Sequence, residues 1–160
     1  MVNQLSPYAL ARDEGQAIWF LGTLAIVMAN SENTGGSFAL IDSLIPPGFE
    51  SPYHVHHAED ESFYITEGQV SFIVDGKKVT VGPGAFVFGP REIPHGFRVE
   101  GTVPARMLFL ATPSGFERFM IEAGEPAASA TLPVPAPPDL EKLARLAAKY
   151  NINILGPLPS

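Results

Sequence analysis

All four histidines of this chain fall in two short windows, with His54, His56 and His57 in the first and His95 in the second. The first window reads Gly48-Phe-Glu-Ser-Pro-Tyr-His54-Val-His56-His-Ala-Glu-Asp-Glu61-Ser-Phe-Tyr-Ile-Thr-Glu-Gly68. Side chains alternate along an extended strand, so His54 and His56 project to one face. Glu61 has the opposite parity and joins them only if the chain bends between, a bend that the polar run 57–60 can supply. Two imidazoles and a carboxylate converging inside a barrel form a site for a divalent transition metal, because such ions favour this mixed nitrogen and oxygen set. His57, opposite in parity to His56, is expected to point away. Glu59 and Asp60 read as solvated turn residues. Spacing alone also leaves open a solvated loop or an adventitious metal binder.

The elements around these windows read as short strands. β-Branched and aromatic residues mark one strand from Ile18 to Met28 and another from Ser37 to Ile45, joined by the turn Asn30–Gly36. Pro46-Pro47-Gly48 stops the second. Val70–Val74, Asp75-Gly76 and Lys77–Val81 form a hairpin, because Asp-Gly suits a turn whose central residues both take positive φ. Gly82-Pro83-Gly84 makes a further turn, followed by strands over Ala85–Phe88 and Arg106–Ala111. Such close spacing without a βαβ rhythm predicts an antiparallel all-β barrel or sandwich. Residues 1–15 read as an irregular arm.

Two helices are expected late in the chain. Ser114-Gly-Phe-Glu117 has the form of a capping box that opens a helix through about Glu122. A proline-rich run follows and reads as an extended connector. Asp139 then caps a second helix, with Leu140, Leu143, Leu146, Ala147 and Tyr150 on one face. The expected organisation is a β-barrel over 1–125 and a connector and helix over 126–160, the helix docked on a barrel surface. A homodimer formed through barrel strands is expected with it.

Composition narrows the partners. The 160 residues are 46% hydrophobic and carry a net charge of −7, so a core can form but no basic footprint for nucleic acid is available. Cysteine is absent, which removes thiolate ligands and cysteine nucleophiles. The most apolar stretch, Ala17–Ala29, is shorter than the roughly 20 residues that span a bilayer and is broken by Gly22 and Thr23. The expectation is a cytoplasmic protein without membrane or nucleic-acid partners.

The first window resembles the first motif of the cupin superfamily at Gly48, His54, His56, Glu61 and Gly68. The second, Gly84-Ala-Phe-Val-Phe-Gly-Pro90-Arg-Glu-Ile-Pro-His95-Gly-Phe-Arg-Val99, is similar to the second cupin motif at Gly84, Pro90 and His95. It departs at Glu92, where the family usually has glycine, and at Val99, where it often has asparagine. The resemblance implies a double-stranded β-helix (jelly-roll) barrel with short C-terminal helices. It also implies one metal per chain on His54, His56, Glu61 and His95, with Fe, Mn, Ni, Co, Cu and Zn all admissible.

Parity counted outward from these ligands turns Phe63, Ile65, Phe97 and Val99 into the interior, and Phe86 and Phe88, or else their neighbours, are expected beside them with Met107 and Phe109, or theirs. An aromatic-lined cavity suits a flat, largely apolar ligand. Cationic anchors for a sugar phosphate are scarce, since Lys77 and Lys78 sit at a turn and Arg98 opposes His95 in parity, leaving Arg91 and Arg106. Pro46-Pro47-Gly48 and the stretch Pro104–Glu117 resemble the quercetin-dioxygenase-like branch. That resemblance implies a metal-dependent dioxygenase acting with O₂ on a planar enol or phenol, with Glu61 as both ligand and general base. A metal-dependent isomerase or lyase, and a non-catalytic small-molecule binder, are the alternatives.

Overall fold

Asp75 and Gly76 take φ values of 49° and 73°, the left-handed pair that a tight hairpin requires. They join β6 (Gln69–Val74) to β7 (Lys77–Val81), in register from Val70 opposite Val81 to Val74 opposite Lys77. A second such turn divides the apolar stretch read above as one strand. Leu21 and Gly22, at φ 51° and 80°, reverse the chain between β1 (Gln16–Phe20) and β2 (Thr23–Ala29). The correction has a local cause: a leucine in the left-handed region hides a turn that glycine alone only suggests.

The computed structural model describes residues 4–160 and has two antiparallel sheets packed face to face. The remaining strands are β3 (Ala39–Ile45), β4 (Tyr53–His56), β5 (Asp60–Glu67), β8 (Phe86–Gly89), β9 (His95–Glu100), β10 (Ala105–Thr112), β11 (Glu125–Pro126) and β12 (Ile152–Gly156). The large sheet runs β11-β1-β2-β3-β10-β5-β8 and the small one β12-β4-β9-β6-β7. This is the all-β jelly roll expected from the sequence. No helix among the described residues is long and apolar enough to cross a membrane.

Register stacks the interior of the large sheet in three rows. Ala39, Ala111 and Glu61 form one, Ile41, Phe109 and Phe63 the next, and Ser43, Met107 and Ile65 the third. All nine side chains are buried. Burying an aliphatic or aromatic side chain stabilises by about 1.5–3 kcal/mol, so the second and third rows anchor the sheet. The first row is small apart from Glu61, which leaves room beside the carboxylate.

The C-terminal segment closes one side of the barrel. Helix α1 (Phe116–Ala123) buries Phe116, Glu117, Phe119 and Met120. Ser114 does not cap it. Gly115 takes that place, and the buried Glu117 carboxylate instead accepts from the Gly115 N–H at 2.6 Å and from the Ser31 N–H and hydroxyl at 2.8 and 2.5 Å. The capping box fails because Glu117 is bound to the 30–36 turn, a contact made across the fold. Pro126 pairs at the outer edge of β1, where a missing N–H costs no ladder bond. The connector beyond it is held by the Trp19 indole N–H, which donates to the Thr131 carbonyl at 2.9 Å.

Helix α2 (Leu140–Lys149) is capped by Asp139, whose carboxylate accepts from the Lys142 N–H at 3.0 Å. It buries Leu143, Leu146 and Ala147. Leu140 is exposed, because as the first residue of the helix it lies beyond the edge of the contact. After Asn151, at φ 57°, the chain forms β12 and adds an edge strand beside β4.

Candidate metal centre

His54 and His56 stand on β4 between two neighbours. On one side His54 lies opposite His95 of β9; on the other, β12 sets Ile152 opposite His56 and Ile154 opposite His54. Glu61 comes from the large sheet, at the start of β5 and across from Gly89. The bend at 57–60 carries the chain from one sheet to the other and reverses the parity of Glu61. The two sheets thus face each other with three imidazoles on one and a carboxylate on the other.

Each imidazole is fixed through Nδ1. That atom donates to the Pro52 carbonyl in His54 (2.7 Å), to the Glu59 carboxylate in His56 (2.6 Å) and to the Ile93 carbonyl in His95 (3.1 Å). The chemistry of these acceptors assigns the tautomers and leaves all three Nε2 atoms to converge. They lie 3.9, 3.2 and 2.7 Å from Glu61 Oε2, in the order His54, His56, His95. His56 Nε2 is buried and off the hydrogen-bonding direction, so it has no partner.

The electrostatics place a proton where a metal would compete for the same atoms. Burial pushes Glu61 up, but charge on His56 and the contacts with the three imidazoles outweigh it and hold the carboxyl well below its ordinary range. Burial pushes His56 down, but the Glu61 charge and the Glu59 hydrogen bond carry it up to about 10. Burial holds His54 below the ordinary histidine value. Four electron-pair donors aimed at one point repel one another unless a proton or a metal ion lies among them. The donor atoms of His54, His56, Glu61 and His95 lie within 4.8 Å of one another and could hold a metal ion.

The neighbouring residues correct several expectations. Glu59 is not a solvated turn residue; it is 4% exposed and holds the His56 ring. Its only sequence signal is its place three residues after His56. Asp60 opens β5 and makes a two-pronged pair with Arg91 on the outer surface, at 3.1 and 3.2 Å. His57 is exposed and donates to Glu92 at 2.8 Å. Glu92 sits at φ 69°, which explains why glycine suits that motif position, and its N–H donates to the His56 carbonyl at 2.8 Å. Val99 is buried, and its backbone pairs with Gly48 and Phe49.

A cavity of about 70 Å³ opens beside the cluster. His54, Glu61, Phe63, Phe97 and Phe109 line it, together with Phe20, Phe49, Phe116, Phe119, Ile152 and Ile154. Ile65 and Met107 are buried in the core behind it and do not reach it. Phe86 and Phe88 point outward and are 63% and 49% exposed. Val87 takes the inward position opposite Phe63, because a strand with phenylalanine at both alternate sites leaves parity to its partner. Phe116 packs edge-on against the His56 ring with centroids 4.9 Å apart. Nothing local in the sequence marks Phe116, Phe119 or Ile152, since all three arrive from the C-terminal segment. No cation lines the cavity among the described residues: Arg91 pairs with Asp60, and Arg106 with Asp42 at 2.9 Å.

A two-sheet antiparallel barrel holding a three-histidine, one-carboxylate cluster is a jelly roll with a candidate metal site. Residues 42–111, from β3 to β10, match the Cupin_2 model, a cupin domain. Quercetin 2,3-dioxygenase from Bacillus subtilis (strain 168) is 31% identical over 120 residues, covering 75% of this chain and 35% of the relative. The chain therefore spans about a third of that curated relative's length. A predicted oxalate decarboxylase from Thermotoga maritima shares the fold with a TM-score of 0.62 at 18% identity, over 66% of this chain and 99% of that one. The polyketide cyclase RemF from Streptomyces resistomycificus does so with a TM-score of 0.59 at 23% identity, over 68% and 81%. Residues 42–111 thus form a cupin domain, and the sequence likeness of the chain is to a quercetin 2,3-dioxygenase.

Proposed function

We propose that this protein is a metal-dependent dioxygenase that acts with O₂ on a planar enol or phenol, with quercetin-like flavonols as the leading substrate class. The observation that carries the reading is the His54–His56–Glu61–His95 cluster at the wall of an apolar, aromatic cavity without a cationic anchor. The 31% identity to a quercetin 2,3-dioxygenase supports it.

The three histidines and Glu61 would hold the metal through Nε2 and carboxylate oxygen atoms. When bound, that metal supplies Lewis acidity that lowers the pKa of a substrate hydroxyl, and an electronic link to O₂. Glu61 lines the cavity with its carboxylate, so it is the group placed to accept the hydroxyl proton. Phe63, Phe97 and Phe109 offer flat apolar walls that orient a planar ring and exclude water. The deprotonated substrate is then the electron donor to O₂, and both oxygen atoms end in the product as a ring bond breaks.

The cavity is smaller than the roughly 300 Å³ at which pockets for drug-sized ligands begin. A flavonol enters only when side chains contributed by α1 and β12 turn aside; a single-ring enol asks for less movement. The test is oxygen uptake by metal-loaded protein on flavonols and single-ring enols, under air and under nitrogen. Turnover only under air is expected. Equal turnover without oxygen would assign an isomerase or lyase, and binding without turnover under either gas would assign a receptor.

A further inference from the structure

Two buried side-chain atoms among the described residues have no hydrogen-bond partner: His56 Nε2 and Ser43 Oγ. The first faces the metal centre. The second stands on β3, 2% exposed, and lines the same cavity as His54 and Glu61. We propose that Ser43 is the distal specificity residue for the substrate class described above, its hydroxyl taking a hydroxyl or carbonyl oxygen at the end of the ligand remote from the His–Glu cluster.

The other polar groups of the cavity wall are already engaged. Thr23 Oγ1 donates to the Phe20 carbonyl at 2.6 Å. Ser51 Oγ accepts from the Phe97 N–H at 2.9 Å and donates to the Pro52 carbonyl at 3.1 Å. Glu61 and His54 belong to the metal centre. Ser43 alone has an unused donor and acceptor, in a wall that is otherwise almost entirely apolar. A buried hydroxyl without a partner has given up solvation that a bound oxygen atom restores.

Register sets the length of such a ligand. Ser43 shares its row with Met107 and Ile65, two rows from the row of Glu61. Two rows span about 13 Å along a strand, and the two strand spacings between β3 and β5 roughly 10 Å across. Phe63 and Phe109 occupy the row between. The wall therefore offers a polar atom, an aromatic stretch and a polar cluster in sequence. That pattern fits an elongated ligand of linked rings with an oxygen at each end. A lone ring cannot bridge it.

The inference rests on the dioxygenase reading for its substrate class, and the probes separate the two. Metal-loaded wild type and Ser43→Ala are titrated under nitrogen with 3-hydroxyflavone and with its 4′-hydroxy and 7-hydroxy derivatives. Wild type is expected to bind one of the two derivatives about five- to tenfold more tightly than the parent, the effect of one neutral hydrogen bond. Ser43→Ala should abolish that preference and leave the affinity for 3-hydroxyflavone unchanged. Its Tm should equal or exceed that of wild type, because the hydroxyl has no protein partner to lose. Equal preference in both proteins, or no preference in wild type, overturns the role of Ser43 and leaves the dioxygenase reading standing. A Tm lowered by more than about 4 °C overturns it too. If no flavonol binds either protein, the flavonol reading fails and this inference falls with it.

Discussion

The two sheets contribute to the candidate metal centre in different ways. The large sheet supplies one donor, Glu61, from a strand paired on both sides by elements of the central barrel, β8 and β10. The small sheet supplies three, two of them from β4, which has only four residues and a single register pair with β9. Its other side is covered by β12, about a hundred residues further along the chain. The carboxylate is thus set by strand pairing on both sides within the large sheet, whereas the two imidazoles of β4 depend on the C-terminal segment. The donors at greatest sequence distance from β12 are the ones it holds in place.

This contrast can be broken with a matched pair of substitutions. Ile152 and Ile18 are 4% and 2% exposed, the first on β12 opposite His56 and the second on β1, away from the cavity wall. Each change to alanine should cost about 2–5 kcal/mol, read as a fall in Tm. Only Ile152→Ala should also weaken metal binding, measured by competition with a chelator. Equal metal affinity in the two variants would show that β12 is merely a cover.

A smaller effect is expected at Glu59. Glu59→Gln can still accept from His56 Nδ1 but loses the charge, whereas Glu59→Ala loses both. Loss of such an outer partner lowers metal affinity about 10–100-fold, so Glu59→Ala should fall in that range and Glu59→Gln between it and wild type. Affinities unchanged in both would detach Glu59 from the centre.

The smallest effect tests the turn that joins β8 to β9. Glu92 holds a left-handed backbone at φ 69°, a conformation that costs a side-chain-bearing residue about 1–2 kcal/mol. Its pair with His57 lies on the surface and returns little. Glu92→Gly should therefore stabilise the protein by about 1 kcal/mol, a Tm rise of ~2–4 °C, with metal content unchanged. A fall in Tm would mean that the His57 pair outweighs the backbone strain.

Much of this was legible in the sequence, and what was not has physical causes. The two histidine windows and the Asp75-Gly76 hairpin are local patterns, so residue spacing carries them. Glu59 looked like a solvated turn residue because its partner is a side chain whose own orientation depends on the fold. The parity of Phe86–Phe88 stays open in the sequence, because it is fixed by the neighbouring strand: Val87 opposite Phe63 decides it. The alternation Ile152-Asn-Ile154 after a capped helix is too short to announce a strand without β4 to receive it. Ser43 carries no signal of its own, since only the accounting of hydrogen bonds in the folded cavity distinguishes it from other serines.

The account turns on one centre built across the two sheets, and metal content of histidine variants tests that directly. Wild type and His57→Ala, purified and loaded identically, should each hold one metal ion per chain. His54→Ala and His95→Ala should lose most of it while keeping a folded barrel by circular dichroism. Retention of a full equivalent in His54→Ala together with its loss in His57→Ala would place the metal on the other face of β4 and contradict the account.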